Sequence, residues 1–531
     1  MSDNMVTVHI DGEPVQVPGD TTVFHACEKA GKQPPHFCYH PALGVDGNCR
    51  MCMVKIEGMP KPQISCDLRV KDGMKVDTES EDVKRIRSGV LELILVNHPI
   101  DCPICDQSGE CKLQDFYMEA GLHKSMVPLS MKVHKPKVQD IGGDIVLDAE
   151  RCVACSRCVR FCNNVTQTGE LALFNRGDHT EIGTHPGVAL DNDYTGCLAD
   201  ICPVGALTSK DFRFKCRVWF LSRTESVCPG CATGCNIEID HHEGKIQRLK
   251  PRVNEQVNGY WMCDAGRFGY KDVHAPTRLK RFEARAGAER VAEPAKIGLE
   301  KIAHALRNVR RDRGAGSIAA LASAAHTVEE LFLFRKLIEE AVGATEIGLV
   351  PTAAGEADNL LIHEDKNPNT TGAMLLGYNA DGVEKILARV ADGSLKALIV
   401  LGADLTTLPP SIPAGLGAKA LEAAELVVFL GTHANGTAQA ADYVAPLASY
   451  AETHGTFVNY KGRVQRIQPA VRAPGDADAG WRVLQDLHGL LVDAARLESA
   501  AEVFGQVAAA YAPFKGMDYE TLGLEGKVIA K

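Results

Sequence analysis

The start of the chain alternates apolar and polar positions, which is the pattern of a half-buried β-strand. In VTVHIDGEPVQVP the alternation runs on both sides of Asp11 and Gly12, and an Asp-Gly pair in that position is typical of a tight hairpin turn. The following TVFHACEKAG predicts a short helix that ends at Gly31, with Cys27 in the core. We therefore expect a small amino-terminal sheet with one packed helix.

A longer helical pattern follows in TESEDVKRIRSGVLELILVNH. Its apolar residues recur at helical spacing, at Val83, Ile86, Val90, Leu93, Ile94 and Val96. Thr78 and Glu81 have the spacing of a capping box, so we expect the helix to begin there. Because Pro99 disfavours helical geometry at the residue before it, we expect the helix to end at His98.

The second half of the chain alternates short apolar segments with helical sequence, which predicts a parallel, doubly wound sheet. SIAALAS, KALIVLG and ELVVFLG are three of the predicted strands. Thr327 to Val342 predicts a helix with a capping box of Thr327 and Glu330 and an end at Gly343. Upstream, NIEIDHHEGKIQRLKP predicts two strands that turn at the Glu-Gly pair.

Composition and charge narrow the class of protein. A chain of 531 residues predicts about three or four domains, and 45% hydrophobic with 24% charged residues is typical of a soluble globular protein. A net charge of -10 argues against a nucleic-acid partner. No apolar run reaches the roughly 18 residues of a membrane span, and the start lacks the apolar core of a signal peptide. We expect a cytosolic protein without a membrane span of its own, able to dock onto a membrane complex.

The cysteines are the strongest chemical signal, since all 19 lie between Cys27 and Cys263. Such density in a cytosolic chain indicates metal sites rather than disulfides. Four groups stand out: Cys38, Cys49, Cys52 and Cys66; Cys102, Cys105 and Cys111; Cys152, Cys155, Cys158 and Cys202; and Cys228, Cys231, Cys235 and Cys263. Cys27, Cys162, Cys197 and Cys216 fall outside these groups.

The first group lies in a glycine-containing loop after a hairpin and a helix, an arrangement similar to the plant-type ferredoxin β-grasp around a [2Fe–2S] cluster. The spacing departs from that pattern, because ten residues rather than four separate Cys38 from Cys49. A four-cysteine zinc site is the alternative. We interpret His36 and His40, which flank Cys38, as loop residues.

The second group has three cysteines, which leaves a [4Fe–4S] cluster one ligand short. His98 stands four positions before Cys102, at the expected helix end. A histidine there would ordinarily be solvated, but imidazole ligation of iron has precedent in Rieske centres. We interpret His98 as the fourth ligand.

The third group, CVACSRCVRFC with the later ICPVGAL, is half of a bacterial two-cluster ferredoxin pattern. A second cluster would need cysteines where Asn192, Thr195 and Leu198 stand, so we interpret Cys162 and Cys197 as spare thiols.

The fourth group, in SVCPGCATGC and WMCDAGRFGY, has the spacing of a further cluster site, with a zinc ribbon as the alternative.

In this order the motifs resemble the large iron–sulfur subunit of respiratory complex I. ADYVAPLASYAETHGTFVNYKGRVQRI is similar to a segment of molybdopterin oxidoreductases. The resemblance implies a [2Fe–2S] cluster in the first group and [4Fe–4S] clusters in the other three, the fourth site being filled only in some members. It implies α+β iron–sulfur domains, first plant-type and then bacterial ferredoxin-like, followed by an α/β molybdopterin-oxidoreductase-like domain.

We expect five domains, covering residues 1–78, 79–120, 140–215, 221–277 and 278–531. The last has no cysteine, so we interpret it as a scaffold without molybdopterin. No Rossmann fingerprint or P-loop occurs, so we expect no flavin or NADH site and no catalytic residue in this chain.

The resemblance implies an electron-transfer subunit of an NADH:quinone oxidoreductase that pumps protons. Its partners would be the flavin- and NADH-binding subunit and the quinone-module subunits, in the peripheral arm at the cytoplasmic side of the inner membrane. One alternative is the catalytic subunit of a formate dehydrogenase-like molybdenum or tungsten enzyme. The other is a zinc scaffold without redox chemistry.

Overall fold

A computed structural model describes residues 4–122, 124–287 and 289–529 of the chain. Its contacts divide the chain into two compact units, Met1–Leu221 and Ser222–Lys531. Among the described residues, no helix is both long enough and apolar enough to cross a membrane.

The first unit contains ten strands and five α-helices within the described ranges. The strands are β1 (Met5–Ile10), β2 (Glu13–Pro18), β3 (Met53–Ile56), β4 (Gln63–Ile64), β5 (Lys75–Asp77), β6 (Gln139–Asp140), β7 (Ile145–Leu147), β8 (Leu171–Phe174), β9 (Glu181–Thr184) and β10 (Leu207–Ser209). The helices are α1 (Val23–Lys29), α2 (Glu81–Leu95), α3 (Lys112–Glu119), α4 (Arg157–Asn164) and α5 (Gly196–Ile201).

The amino-terminal sheet has the strand order β2-β1-β5-β3-β4, in which β1 pairs antiparallel with β2 and parallel with β5. Asp11 and Gly12 form the predicted turn, with φ of 50° and 92°. Only a left-handed backbone gives this tight turn, which explains the Asp-Gly pair. Helix α1 packs on the sheet and buries Cys27 completely, as predicted.

Helix α2 forms where the apolar spacing predicts it, but the predicted capping box is wrong. Ser80 is the N-cap residue and makes no side-chain cap bond. Thr78 is instead bonded to Asp11, whose carboxylate accepts from the Thr78 hydroxyl and backbone N–H at 2.6 Å each. A contact with the first hairpin therefore displaces the local cap. The helix also ends earlier than predicted, at Leu95 rather than His98.

Two small sheets complete the first unit. One has the order β10-β7-β6, and the other is the hairpin of β8 and β9. Helices α4 and α5 pack against these strands and against each other. Of the predicted ferredoxin pattern, Cys158 lies on α4, Cys152 and Cys155 precede α4, and Cys202 follows α5.

The second unit contains thirteen strands and ten α-helices within the described ranges. The strands are β11 (Ser222–Val227), β12 (Asn236–His242), β13 (Lys245–Pro251), β14 (Phe282–Ala286), β15 (Glu289–Glu293), β16 (Ile318–Ala322), β17 (Glu346–Leu349), β18 (Ala397–Leu401), β19 (Leu426–Gly431), β20 (Tyr443–Pro446), β21 (Gly455–Val458), β22 (Arg463–Ile467) and β23 (Lys527–Val528). The helices are α6 (Asp264–Phe268), α7 (Ala295–Arg313), α8 (Val328–Lys336), α9 (Thr370–Leu375), α10 (Val383–Ala391), α11 (Leu416–Ala423), α12 (Gly436–Ala440), α13 (Gly480–Leu491), α14 (Ala500–Ala510) and α15 (Tyr519–Leu522).

A seven-stranded sheet forms the centre of the second unit, in the order β15-β14-β20-β19-β18-β16-β17. The pairs among β17, β16, β18, β19 and β20 are parallel, as predicted, whereas β14 and β15 add an antiparallel edge. Strands β16, β18 and β19 are buried along their whole length, which is why their sequences are continuously apolar. Strands β11, β12 and β13 form a separate sheet with the predicted turn at Glu243 and Gly244.

The helix predicted from Thr327 has its capping box. The Thr327 hydroxyl accepts from the Glu330 N–H, and the Glu330 carboxylate accepts from the Thr327 N–H. The helix widens into a π-helical turn over Leu337–Val342 and ends at Gly343, which adopts a φ of 76°. The boundaries were thus correct, but the change of helix type was not predicted.

Candidate metal centres

The first group lies around β3 and β4, and all four sulfurs come together. Cys38, Cys52 and Cys66 are buried, and Cys49 is half-buried. The sulfurs form two pairs: a hydrogen bond from Cys49 lowers the pKa of Cys38, and one from Cys66 lowers the pKa of Cys52. A [2Fe–2S] cluster takes two protein ligands on each iron, so this paired donor set fits it.

The second group lines one small cavity at the end of α2. His98, Cys102, Cys105 and Cys111 all border this cavity, so the structure brings the histidine and the three cysteines together. Burial lowers the pKa of His98 to about 4, which keeps the imidazole neutral near pH 7. Neutral imidazole is the form that binds metals, so the protonation state fits a ligand.

The ring of His98 is held by a short strained loop. Its Nδ1 accepts a hydrogen bond of 3.1 Å from the backbone N–H of Ile100, a β-branched residue with a φ of 49°. This bond belongs to the neutral tautomer with hydrogen on Nε2. If Nε2 were to bind iron, its hydrogen would have to move to Nδ1, and the hydrogen bond from the Ile100 N–H would have to open.

The third group gathers at α4 and the end of α5. Burial raises the pKa of Cys152, Cys155 and Cys202 to about 11 each, and that of Cys158 further. The backbone N–H of Ala154 donates to Cys152 Sγ at 3.3 Å. Thiols this reluctant to ionise are deprotonated on binding a metal, so assembly of this site releases protons.

Two further cysteines lie on the helices of the third group. Cys162, one turn after Cys158 on α4, and Cys197, on α5, are both completely buried. Burial raises the pKa of Cys162 to about 12. Both positions fit core packing.

The fourth group lies in the second unit. Cys228, Cys231 and Cys235 occupy the loop between β11 and β12, and Cys263 immediately precedes α6. All four are buried, and the N–H of Gly266 donates to Cys263 Sγ at 3.3 Å. A Cβ on Gly266 would lie 3.0 Å from Cys228 Sγ, so a glycine keeps this close approach open. Four thiols and a backbone donor to sulfur fit a [4Fe–4S] cluster.

Across the described part of the chain, no group of three or more histidine, cysteine, aspartate or glutamate side chains is arranged as a site for a single metal ion.

The loops of the first and third groups touch each other. The Asn48 side chain donates to the Ala154 carbonyl at 3.1 Å, and the Ser156 hydroxyl donates to Asp46 at 2.7 Å. These two contacts join the loop that carries Cys49 to the loop that carries Cys155. The first and third groups are therefore direct neighbours.

The third group also touches the second. A Cβ on Gly205, three residues after Cys202, would come under 3.0 Å from Cys105 Sγ, closer than real Cβ atoms approach. Arg151, beside Cys152, binds the Asp101 carboxylate through two hydrogen bonds of 2.9 and 2.6 Å. The third group thus contacts both the first and the second group.

Sequence reasoning missed Gly205 and Arg151. Gly205 is part of the quoted ICPVGAL, but nothing in the spacing of that motif identifies Cys105 as its neighbour.

Family models match most of the chain. They are a 2Fe-2S iron-sulfur cluster binding domain over 3–81, an NADH-ubiquinone oxidoreductase-G iron-sulfur binding region over 87–125, an NADH-quinone oxidoreductase subunit 3 ferredoxin-like domain over 142–208, a molybdopterin oxidoreductase Fe4S4 domain over 221–275 and a molybdopterin oxidoreductase domain over 298–489.

Several relatives match this chain over nearly its whole length. A subunit of the NADH-quinone oxidoreductase of Rickettsia felis is 30% identical over 97% of this chain and 92% of its own length. The NADH-ubiquinone oxidoreductase 75 kDa subunit of Reclinomonas americana is 30% identical over 92% of this chain and 88% of its own. A solved chain of the NAD+-reducing [NiFe]-hydrogenase is 32% identical over 40% of this chain and 91% of its own, with a TM-score of 0.35.

The fold and the cysteine-rich sites define the class of the protein, which is an iron–sulfur oxidoreductase protein. Its [2Fe–2S] and [4Fe–4S] binding domains precede a molybdopterin-oxidoreductase domain. Within that class, the chain belongs to the family of the 75 kDa subunit of NADH-quinone oxidoreductase, the large electron-transferring iron–sulfur subunit of complex I.

Proposed function

We propose that this chain carries electrons from the NADH- and flavin-binding subunit of complex I towards quinone, while the whole complex translocates protons. The contact of the third ligand group with both the first and the second is the observation that carries the proposal. Electron transfer needs redox centres at short separation, and these groups touch through Asn48 and Ala154 and through Gly205 and Cys105.

Each group has a proposed occupant. One [2Fe–2S] cluster is bound by the first group, and [4Fe–4S] clusters by the other three. The ligands are Cys38, Cys49, Cys52 and Cys66; His98, Cys102, Cys105 and Cys111; Cys152, Cys155, Cys158 and Cys202; and Cys228, Cys231, Cys235 and Cys263. The last site is the one whose occupancy we leave to experiment.

Bound clusters supply one-electron redox chemistry, and the residues of this chain set the conditions for it. The ligand positions are buried, which keeps water away from the cluster sites. Backbone N–H groups such as those of Ala154 and Gly266 donate to the ligand sulfurs. Hydrogen bonds to sulfur and burial are two of the factors that set a cluster's potential. The chain itself needs no bond-making step and no catalytic residue.

The proposal includes an assembly and a location. The chain is part of a hetero-oligomer with the flavin- and NADH-binding subunit and the quinone-module subunits, in the peripheral arm at the cytoplasmic side of the inner membrane. Flavin is held by a partner, and residues 278–531 act as a scaffold without molybdopterin. The other proposed domains cover 1–78, 79–120, 140–215 and 221–277.

Metal analysis of anaerobically purified protein tests the proposal. One binuclear and three cubane clusters predict about fourteen irons per chain, with no stoichiometric molybdenum or tungsten. About ten irons would mean that one cubane site is empty, and the electron-transfer role would stand. Stoichiometric molybdenum or tungsten would favour the formate dehydrogenase-like alternative. Zinc in place of iron would contradict both.

A further inference from the structure

Arg157 is a buried cation between the first and third ligand groups. It begins α4, two residues after Cys155, and its side chain is almost completely excluded from solvent. Its Nη1 donates to the Ile201 carbonyl at 3.1 Å, and its Nη2 donates to the carbonyl of Tyr39. Tyr39 follows Cys38 and Ile201 precedes Cys202, so one guanidinium contacts the backbone beside a ligand of each group.

Among the described residues, no aspartate or glutamate forms an ion pair with Arg157, and its Nε is buried without a hydrogen-bond partner. Its hydrogen bonds place the guanidinium beside Cys38 and Cys202, and Cys155 is two residues before it in the chain. Burying an uncompensated cation is costly, so this site calls for negative charge at the neighbouring cluster ligands.

The neighbouring Arg160 also contacts the first group, but it lies closer to solvent. Its Nη2 donates to the carbonyl of Cys38, its Nη1 donates to the carbonyls of Leu43 and Gly44 at 2.9 and 3.0 Å, and its Nε donates to the Ser156 hydroxyl at 3.1 Å. Arg160 is half-exposed, so water screens part of its charge. Arg157 differs because it is buried and keeps a free donor.

We propose that Arg157 supplies a fixed positive charge that raises the reduction potentials of the first and third clusters together. The inference rests on the proposed function, because it requires both clusters. Reduction adds one negative charge to a cluster, so a buried cation stabilises the reduced form more than the oxidised form. Because one charge acts on both clusters, both reduction potentials rise. The difference between the two potentials therefore changes less than either potential does.

EPR-monitored redox titration of the assembled complex tests the inference. Arg157→Gln removes the charge and keeps a hydrogen-bond donor, and Arg157→Lys keeps the charge. We expect Arg157→Gln to disfavour reduction of both clusters by about tenfold or more, a shift of 59 mV for one electron, whereas Arg157→Lys stays near the wild type. The control Arg85→Gln alters a side chain that is 80% exposed on α2 and should shift neither potential.

Unchanged potentials in Arg157→Gln, or equal shifts in Arg157→Gln and Arg157→Lys, would overturn the inference. If Arg157→Gln fails to assemble clusters while Arg157→Lys assembles them, the need for charge is supported. If neither variant assembles them, the role is one of guanidinium geometry, and the charge assignment is wrong. A wild-type complex without the two EPR signals would instead contradict the proposed function.

Discussion

Gly205 lies against the sulfur of Cys105, so close that a Cβ on Gly205 would come under 3.0 Å from that Sγ. The φ of Gly205 is not in the left-handed region, so only the contact requires a glycine here. The backbone that follows a proposed ligand of the third cluster thereby forms one wall of the second site.

Gly205→Ala should displace Cys105 and impair the second site. We expect loss of about four irons per chain and of one [4Fe–4S] EPR signal, while the third cluster remains. The matched control is Gly89→Ala on α2, where nothing lies within 4 Å of the added Cβ. That variant should keep all its iron and gain roughly 1 kcal/mol of helix stability. Equal iron content in the two variants would contradict the role of Gly205.

His98→Cys should lower the reduction potential of the second cluster. A thiolate carries a negative charge that a neutral imidazole lacks, so it disfavours the reduced cluster. The measurement is an EPR-monitored titration of the assembled complex. His134→Cys is the control, since the side chain of His134 is 76% exposed and lines no candidate site. An unchanged potential in His98→Cys would count against ligation by His98.

Cys158 and Cys162 form a natural pair for testing the ligand assignment. They lie one turn apart on α4 and are both buried, yet only Cys158 belongs to the proposed set. Cys158→Ala should remove the third cluster, with about four irons. Cys162→Ala should keep the iron and cost about 1 to 2 kcal/mol of stability through lost packing. Iron loss in Cys162→Ala would show that the assignment within α4 is wrong.

Glu329 should make the stability of the second unit depend on pH. It is completely buried, and its carboxylate accepts hydrogen bonds from the Thr456 N–H and hydroxyl and from the Tyr519 hydroxyl. Burial raises the pKa of Glu329 from 4.5 to about 7. The folded state therefore holds this proton more tightly than the unfolded state does. The resulting stabilisation is complete below pH 4.5 and is lost as the pH rises through 7. The free energy of unfolding falls by on the order of 3 kcal/mol across this range.

Glu329→Gln should remove that dependence, because the amide does not titrate. We expect the wild type to lose stability between about pH 5 and pH 8 relative to this variant, as measured by thermal unfolding at each pH. The difference in stability between the two proteins at each pH reports Glu329 alone, because the other titrating groups are common to both. Parallel curves for the two proteins would contradict the raised pKa.

Local patterns predicted the local structure well. The Asp11-Gly12 hairpin and the cap at Thr327 depend on residues a few positions apart, and both formed as predicted. The cap predicted at Thr78 failed because Asp11, distant in sequence, binds that residue. The antiparallel edge formed by β14 and β15 also depends on a pairing that no local pattern encodes.

The sequence by itself determined the elements, the cysteine groups and the family resemblance, because periodicity and ligand spacing act over short stretches of chain. Only the tertiary structure decided which groups are neighbours. The chain order is first, second, third, whereas the contact of Asn48 with Ala154 and that of Gly205 with Cys105 bring the third group against both of the others. The unpaired charge of Arg157 likewise arises only on folding, because it depends on which side chains surround the guanidinium and which do not.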